Sequence, residues 1–173
     1  MRPQDKNRIL IPMIMHNYET ARKKYGLTGT KLRILERLDK YNLTPITAKF
    51  TYKRGVFNNE QVYPILQMSK KIDGKYAKGL ETEFKRFIAM GVLNRNVTPS
   101  VQVDMYWHLF ILNTREYRKF CKIVLGRFKE HVPSSAESKT SKKRLNDLYN
   151  DYMNTMEMHE CLFGKPSPDF WQV

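Results

Sequence analysis

The sequence predicts a mainly α-helical fold with a small β-hairpin or strand element near residues 47–57. Apolar residues recur at helical spacing in several separate runs, and one short stretch alternates instead. A hydrophobic share of 41% with 12% aromatic residues is enough for a packed core. At 173 residues the chain suits one domain, or one domain with an appendage. A chain of that size buries roughly two-thirds of its unfolded surface, so it requires neither disulfides nor metals for stability.

A first helix is predicted over 12–25, because Pro12 suits a first turn and Gly26 suits the position after the last one. Ile14, Tyr18, Ala21 and Tyr25 share its inner face. Arg22, Lys23 and Lys24 end it, where cations complement the helix dipole. TKLRILERLDKY (30–41) is the clearest amphipathic run, with Leu32, Leu35 and Leu38 inward and Lys31, Arg33, Arg37 and Lys40 outward. After Pro45, TAKFTYKRGVF (47–57) sets Phe50 and Tyr52 against Lys49, Thr51 and Lys53. Its β-branched and aromatic content makes it the β element, with Gly55 at a turn. NNEQVYPILQMSKKI (58–72) reads as a helix interrupted at Pro64 and closed by Asp73-Gly74.

LETEFKRFIAM (80–90) is a helix with Leu80, Phe84, Phe87 and Ile88 inward. Thr98-Pro99-Ser100 supplies a hydroxyl cap for the next helix, VDMYWHLFILNTREYRKFC (103–121), which Asn113-Thr114 interrupts. Tyr117, Cys121, Val124 and Phe128 continue as one stripe. Residues 134–144 form a polar loop, and a last helix over about 141–162 carries Leu145, Leu148, Tyr149, Tyr152 and Met156. Phe170 and Trp171 in the tail are expected to dock on the body. The chain divides into a basic N-terminal region, 1–79, and a helical domain, 80–173.

The formal net charge of +14, from 31 Lys/Arg against 17 Asp/Glu, points to a polyanionic partner. Residues 1–55 hold 13 of those cations against 4 acids, so the excess belongs mainly to the first third. Cys121 and Cys161 show no metal-ligand spacing, which closes the zinc-finger route and suits two thiols in a reducing compartment. ILIPMIM (9–15) falls well short of the ~20 apolar residues a membrane helix needs. The expected setting is intracellular and cytoplasmic, without a membrane.

The stretch 103–121 resembles the signature of the glycine-rich domain-containing protein-like family, approximately Val-Asp-x-x-Trp-His-x-His-Ile-Leu followed by Thr-x-x-Tyr and a later Cys. The matching residues are Pro99, Ser100, Val103, Asp104, Trp107, His108, Ile111, Leu112, Thr114, Tyr117 and Cys121. EFKRFIAM, His131-Val-Pro133 and NTMEMHECLFGKPSPDFW resemble its flanking blocks, so the resemblance covers about 80–171. It implies a helical fold and little chemistry, and some plant relatives have been proposed to bind RNA. The second histidine of the signature is Phe110 here. Two histidines two apart could reach one polar centre, whereas here the donors near at hand reduce to Asp104 and His108, too few for a metal.

Asp104 and His108 are four apart and share a helical face. A carboxylate orienting an imidazole could serve base catalysis, but no nucleophile stands at a readable spacing, although Ser100, one turn before Asp104, and Cys121 exist. The preferred reading is a buried polar pair that ties helices together, with Trp107 filling the core. No catalytic residue, metal or cofactor is therefore expected. The basic first third is expected to bind nucleic acid, RNA before DNA and without catalysis. Arg22, Lys23, Lys24, Lys31, Arg33, Arg37, Lys40, Lys49, Lys53 and Arg54 would meet phosphates, while Tyr52 or Phe50 stacks on unpaired bases. A winged-helix DNA binder, a protein-interaction adaptor and an enzyme using Asp104/His108 are the alternatives. The C-terminal part would then serve a protein partner or self-association.

Overall fold

Short polar side chains start the helices. In α1 (Tyr18–Tyr25) Asn17 accepts from the Thr20 N–H, and Gly26, with φ of 59°, closes the last turn. Thr28 caps α2 (Gly29–Lys40) in the same way. The computed structural model describes residues 17–52, 73–94, 96–131 and 142–172. Asp73, expected to end a helix, instead caps the start of α4 (Gly74–Leu93), accepting from the Tyr76 N–H. Ser100 caps α5 (Val101–Leu112). Asn113 breaks that helix as expected, and α6 (Thr114–Phe120) then runs into a π-helical turn, Cys121–Leu125, closed by Gly126 with φ of 72°. The last helix is α7 (Lys142–Phe163).

The expected β element near 47–57 is overturned where it is described. Residues 44–52 form a helix, α3 (Thr44–Tyr52), and no strand occurs among the described residues. Tertiary burial overrides the alternation: Leu43, Ile46 and Thr47 are buried at helical spacing against α4 and α5. Asn42 accepts from the Thr44 N–H at the start of α3, and Thr47 gives its hydroxyl a partner inside the fold. Residues 53–57 and the helix expected over 58–72 lie outside the described residues.

α4 is the central helix, packed by α2, α3, α5 and α7. Leu80, Phe84, Phe87 and Ile88 are all buried as their spacing predicts, and the Phe84 ring meets those of Tyr106, Phe110 and Phe120. Leu32, Leu35 and Leu38 of α2 enter the same core, so residues on both sides of position 79 share one cluster. On α7 Tyr152 and Met156 pack on the core as expected, Tyr149 is exposed, and the buried residues Thr155, Met158, His159 and Leu162 extend the inner face further along the helix. The tail docks through Trp171, which is buried, and Phe170, whose ring covers Gly79. A Cβ at position 79 would lie 2.5 Å from Phe170 Cζ, which is why a glycine stands inside this helix. Among the described residues no helix is long and apolar enough to cross a membrane.

Candidate functional site

Helical spacing puts Asp104 and His108 on one face of α5, and the fold adds His131 from the segment after the π-helical turn. His108 Nδ1 lies 2.8 Å from the Asp104 carbonyl oxygen and 3.2 Å from Asp104 Oδ2. His131 Nε2 lies 3.1 Å from His108 Nε2 and 3.3 Å from Asp104 Oδ1. One ligand atom from each of the three sits within 4.8 Å of the others. The side chains are half-sheltered, with exposures of 34% for Asp104, 24% for His108 and 11% for His131. Burial pushes the Asp104 carboxyl above its ordinary range, against the pull of the two imidazoles. Burial likewise holds the His131 imidazole below its ordinary value; Asp104 opposes that shift, while His108 and Lys129 add to it.

A second set of bonds explains why His131 arrives there. The buried Trp107 donates its Nε1–H to the Tyr117 hydroxyl at 3.1 Å, and that hydroxyl donates to the Lys129 carbonyl at 2.6 Å. This tie straps residues 126–131 across α5. The His131 ring then lies against Trp107 at 4.3 Å between centroids, with Lys129 Nζ 5.2 Å from the same indole. Trp107 fills the core as expected, and its indole N–H adds a tie that holds a histidine over Asp104 and His108. Spacing along α5 pairs two donors, and the fold brings together three. Phe110 is fully buried among Phe84, Tyr117 and Phe120. Residues two apart on a helix face opposite sides, so a histidine at 110 would point into the core, away from Asp104. Ser100 is buried as a helix cap, and Cys121 is buried as the first residue of the π-helical turn.

The candidate nucleic-acid residues fall into groups. Arg22, Lys23, Arg33, Arg37, Lys40 and Lys49 are exposed. Lys24 is exposed but pairs with Glu157 at 2.6 Å, which raises its pKa and lowers that of Glu157. Lys31 turns back to donate to the last carbonyls of two helices, Tyr25 at 3.3 Å and Leu93 at 3.1 Å. Lys49 Nζ donates to Asn113 Oδ1. Arg37 Nε donates to the Val124 carbonyl at 3.1 Å, which brings α2 beside the π-helical turn. The side chains of Phe50 and Tyr52, and all of Lys53 and Arg54, lie outside the described residues, and the strand that was to present those aromatics is helix α3 up to Tyr52.

Composition by thirds concealed a further cationic run: residues 114–131 carry 6 Lys/Arg against 2 Asp/Glu. Arg118, Lys119, Lys122 and Arg127 of that run are exposed. Phe128 follows with 57% of its surface exposed, its ring edge-on to Tyr117 at 5.6 Å. The sequence stripe placed Phe128 in the core, but Gly126 breaks the helix before it.

The model of the UCP032817-like family matches residues 33–153. The chain belongs to the UCP032817-like family. That corrects the resemblance to the glycine-rich domain-containing protein-like family, and the UCP032817-like family is uncharacterised. Its match begins in α2 and takes in α3, two elements the resemblance left out, whereas the resemblance rested on short blocks from 80 onward. No curated protein and no solved structure matches the chain. Within the UCP032817-like span lie Asp104, His108, His131, the exposed cations of α2 and those of 114–131.

Proposed function

We propose that the protein binds nucleic acid, single-stranded RNA before DNA, without catalysis, on the face shared by α2 and the α6–π-helical segment. The observation that carries this reading is the Arg37–Val124 bond. It brings α2, with Arg33, Arg37 and Lys40 exposed, against the π-helical turn, and that turn joins the exposed Arg118, Lys119 and Lys122 to the exposed Arg127 and Phe128. Cations at that density neutralise phosphates, and an exposed aromatic flanked by Arg127 and Lys129 is a stacking surface for an unpaired base. A duplex offers no splayed base to such a ring, which places single strands first. Arg22 and Lys23 on α1 add positive potential without a specific contact.

Filter binding of the full chain to single-stranded RNA, single-stranded DNA and duplex DNA across a salt series tests the reading. Six phosphate contacts predict a slope of about −4 in log K against log salt on a single strand, a loss of roughly 300-fold between 50 and 200 mM. Arg37→Gln with Lys122→Gln should shallow that slope by about 1.4. Phe128→Ala should weaken binding by roughly 5- to 150-fold at every salt concentration, the range of one lost base stack. Equal, flat isotherms for all three nucleic acids at low salt would overturn the proposal and favour a protein partner. A duplex preference would move it to DNA.

A further inference from the structure

We propose that Asp104, His108 and His131 form a three-ligand site for a divalent metal ion of the zinc class. Asp104 Oδ1 and the Nε2 nitrogens of both histidines are the donors, and the fourth position faces solvent. This site is independent of the nucleic-acid face: it uses none of those cations, and neither reading requires the other.

His108 Nδ1 faces the Asp104 carbonyl at 2.8 Å, and a carbonyl can only accept, so the ring hydrogen of the neutral imidazole is fixed there. His108 Nε2 is then a lone pair, and it points at His131 Nε2 from 3.1 Å. Asp104 Oδ1 is sheltered from solvent and has no hydrogen-bond donor, with His131 Nε2 standing 3.3 Å away. With neutral rings, His108 Nε2 and Asp104 Oδ1 both stand against His131 Nε2, and at most one hydrogen, on that nitrogen, lies between the three. A single proton serves two of these atoms poorly at those separations. A cation at their centre satisfies all three.

The dimensions fit. Metal–nitrogen bonds of 2.0–2.1 Å in a tetrahedral site put neighbouring donors about 3.3 Å apart. The observed edges at His131 Nε2 are 3.1 and 3.3 Å. Two imidazoles with one carboxylate suit zinc and the other first-row divalent ions rather than magnesium or calcium, which take oxygen sets. The outer contacts are those that metal-bound histidines use: a carbonyl fixes the tautomer of His108, and the Trp107 ring fixes the plane of His131. Partial exposure of Asp104 and His108 gives an ion its route in and leaves a coordination position for water or a ligand atom.

The test uses the full chain, stripped with chelator and titrated with Zn²⁺ by calorimetry and with Co²⁺ by visible absorption. One ion per chain is expected, and the cobalt spectrum should be that of a four-coordinate nitrogen/oxygen site without thiolate charge-transfer bands. Asp104→Asn and His131→Gln should each weaken binding by more than about 100-fold, the upper end of what a lost outer contact costs. Cys161→Ser should bind as the parent does. Should the ligand variants fail to fold, long-range ¹H–¹⁵N spectra of the parent's imidazoles decide: Zn²⁺ should shift the Nε2 resonances of His108 and His131, with His108 Nδ1 still protonated. No stoichiometric ion on the parent chain, thiolate bands, or unmoved Nε2 resonances would each overturn the site.

Discussion

Replacing Tyr117 by Phe removes one oxygen and leaves the ring to pack. That oxygen accepts the Trp107 Nε1–H and donates to the Lys129 carbonyl, and both side chains at the centre of the tie are buried. Losing it strands the indole N–H in the core, which costs about 1–3 kcal/mol. The Lys129 carbonyl belongs to a half-buried residue and can turn to water, so it adds little. The expected loss is therefore about 2 kcal/mol, or roughly 4–8 °C in Tm for a chain of this size. Urea unfolding followed by far-UV circular dichroism measures it. Trp107→Phe removes the stranded donor, so in that background Tyr117→Phe should cost at least about 1 kcal/mol less. A single-mutant loss below about 0.5 kcal/mol, or simple additivity in the double mutant, would show that the tie does not hold the segment.

Glu83 accepts from His159 and Trp171, each at 2.8 Å, and from Arg86 at 2.7 Å. Burial would raise its pKa, but those hydrogen bonds and the Arg86 charge outweigh it and hold the carboxyl below its ordinary 4.5. A folded pKa below the unfolded one means the stabilisation is complete above about pH 4.5 and is lost as pH falls through the folded value. Glu83→Gln should cost about 3–5 kcal/mol at neutral pH and flatten that acid limb, as measured by denaturation at pH 7 and pH 3. Lys31→Met keeps the aliphatic stem and strips two helix ends of their donor, so it should cost about 1–2 kcal/mol. Lys23→Met should stay within about 0.5 kcal/mol in the same melts. Gly79→Ala should destabilise the parent by displacing Phe170, yet stabilise a Phe170→Ala background by up to about 1 kcal/mol, the helix preference of alanine. A change of the same sign in both backgrounds would refute that account.

Helix ends were legible because they are local events: Ser100 and Asn113 act on backbone within four residues of themselves, and Gly26 within five. α3 was not, because its composition is that of a strand, and only the burial of Ile46 and Thr47 against α4 and α5 decides between the two forms. The Asp104–His108 pair was legible from its spacing. His131 was not, since 23 residues and a chain reversal separate it from His108. The same holds for Glu83 and His159, 76 residues apart. Charge could be counted along the chain, but nothing in the count separates Lys31, spent on two helix ends, from Lys40, left in solvent.

The π-helical turn at Cys121–Leu125 has a consequence for how this chain can change. Such a turn is an α-helix with one residue to spare, so a one-residue deletion there can be absorbed by rewinding, without a broken helix. Absorbed in this way, the deletion leaves the segment downstream in register, whereas in an unbroken α-helix the same loss would swivel it by about 100°. Arg127, Phe128 and His131 would keep their aim, so a descendant could lose a residue here and still hold both its outward ring and its third donor.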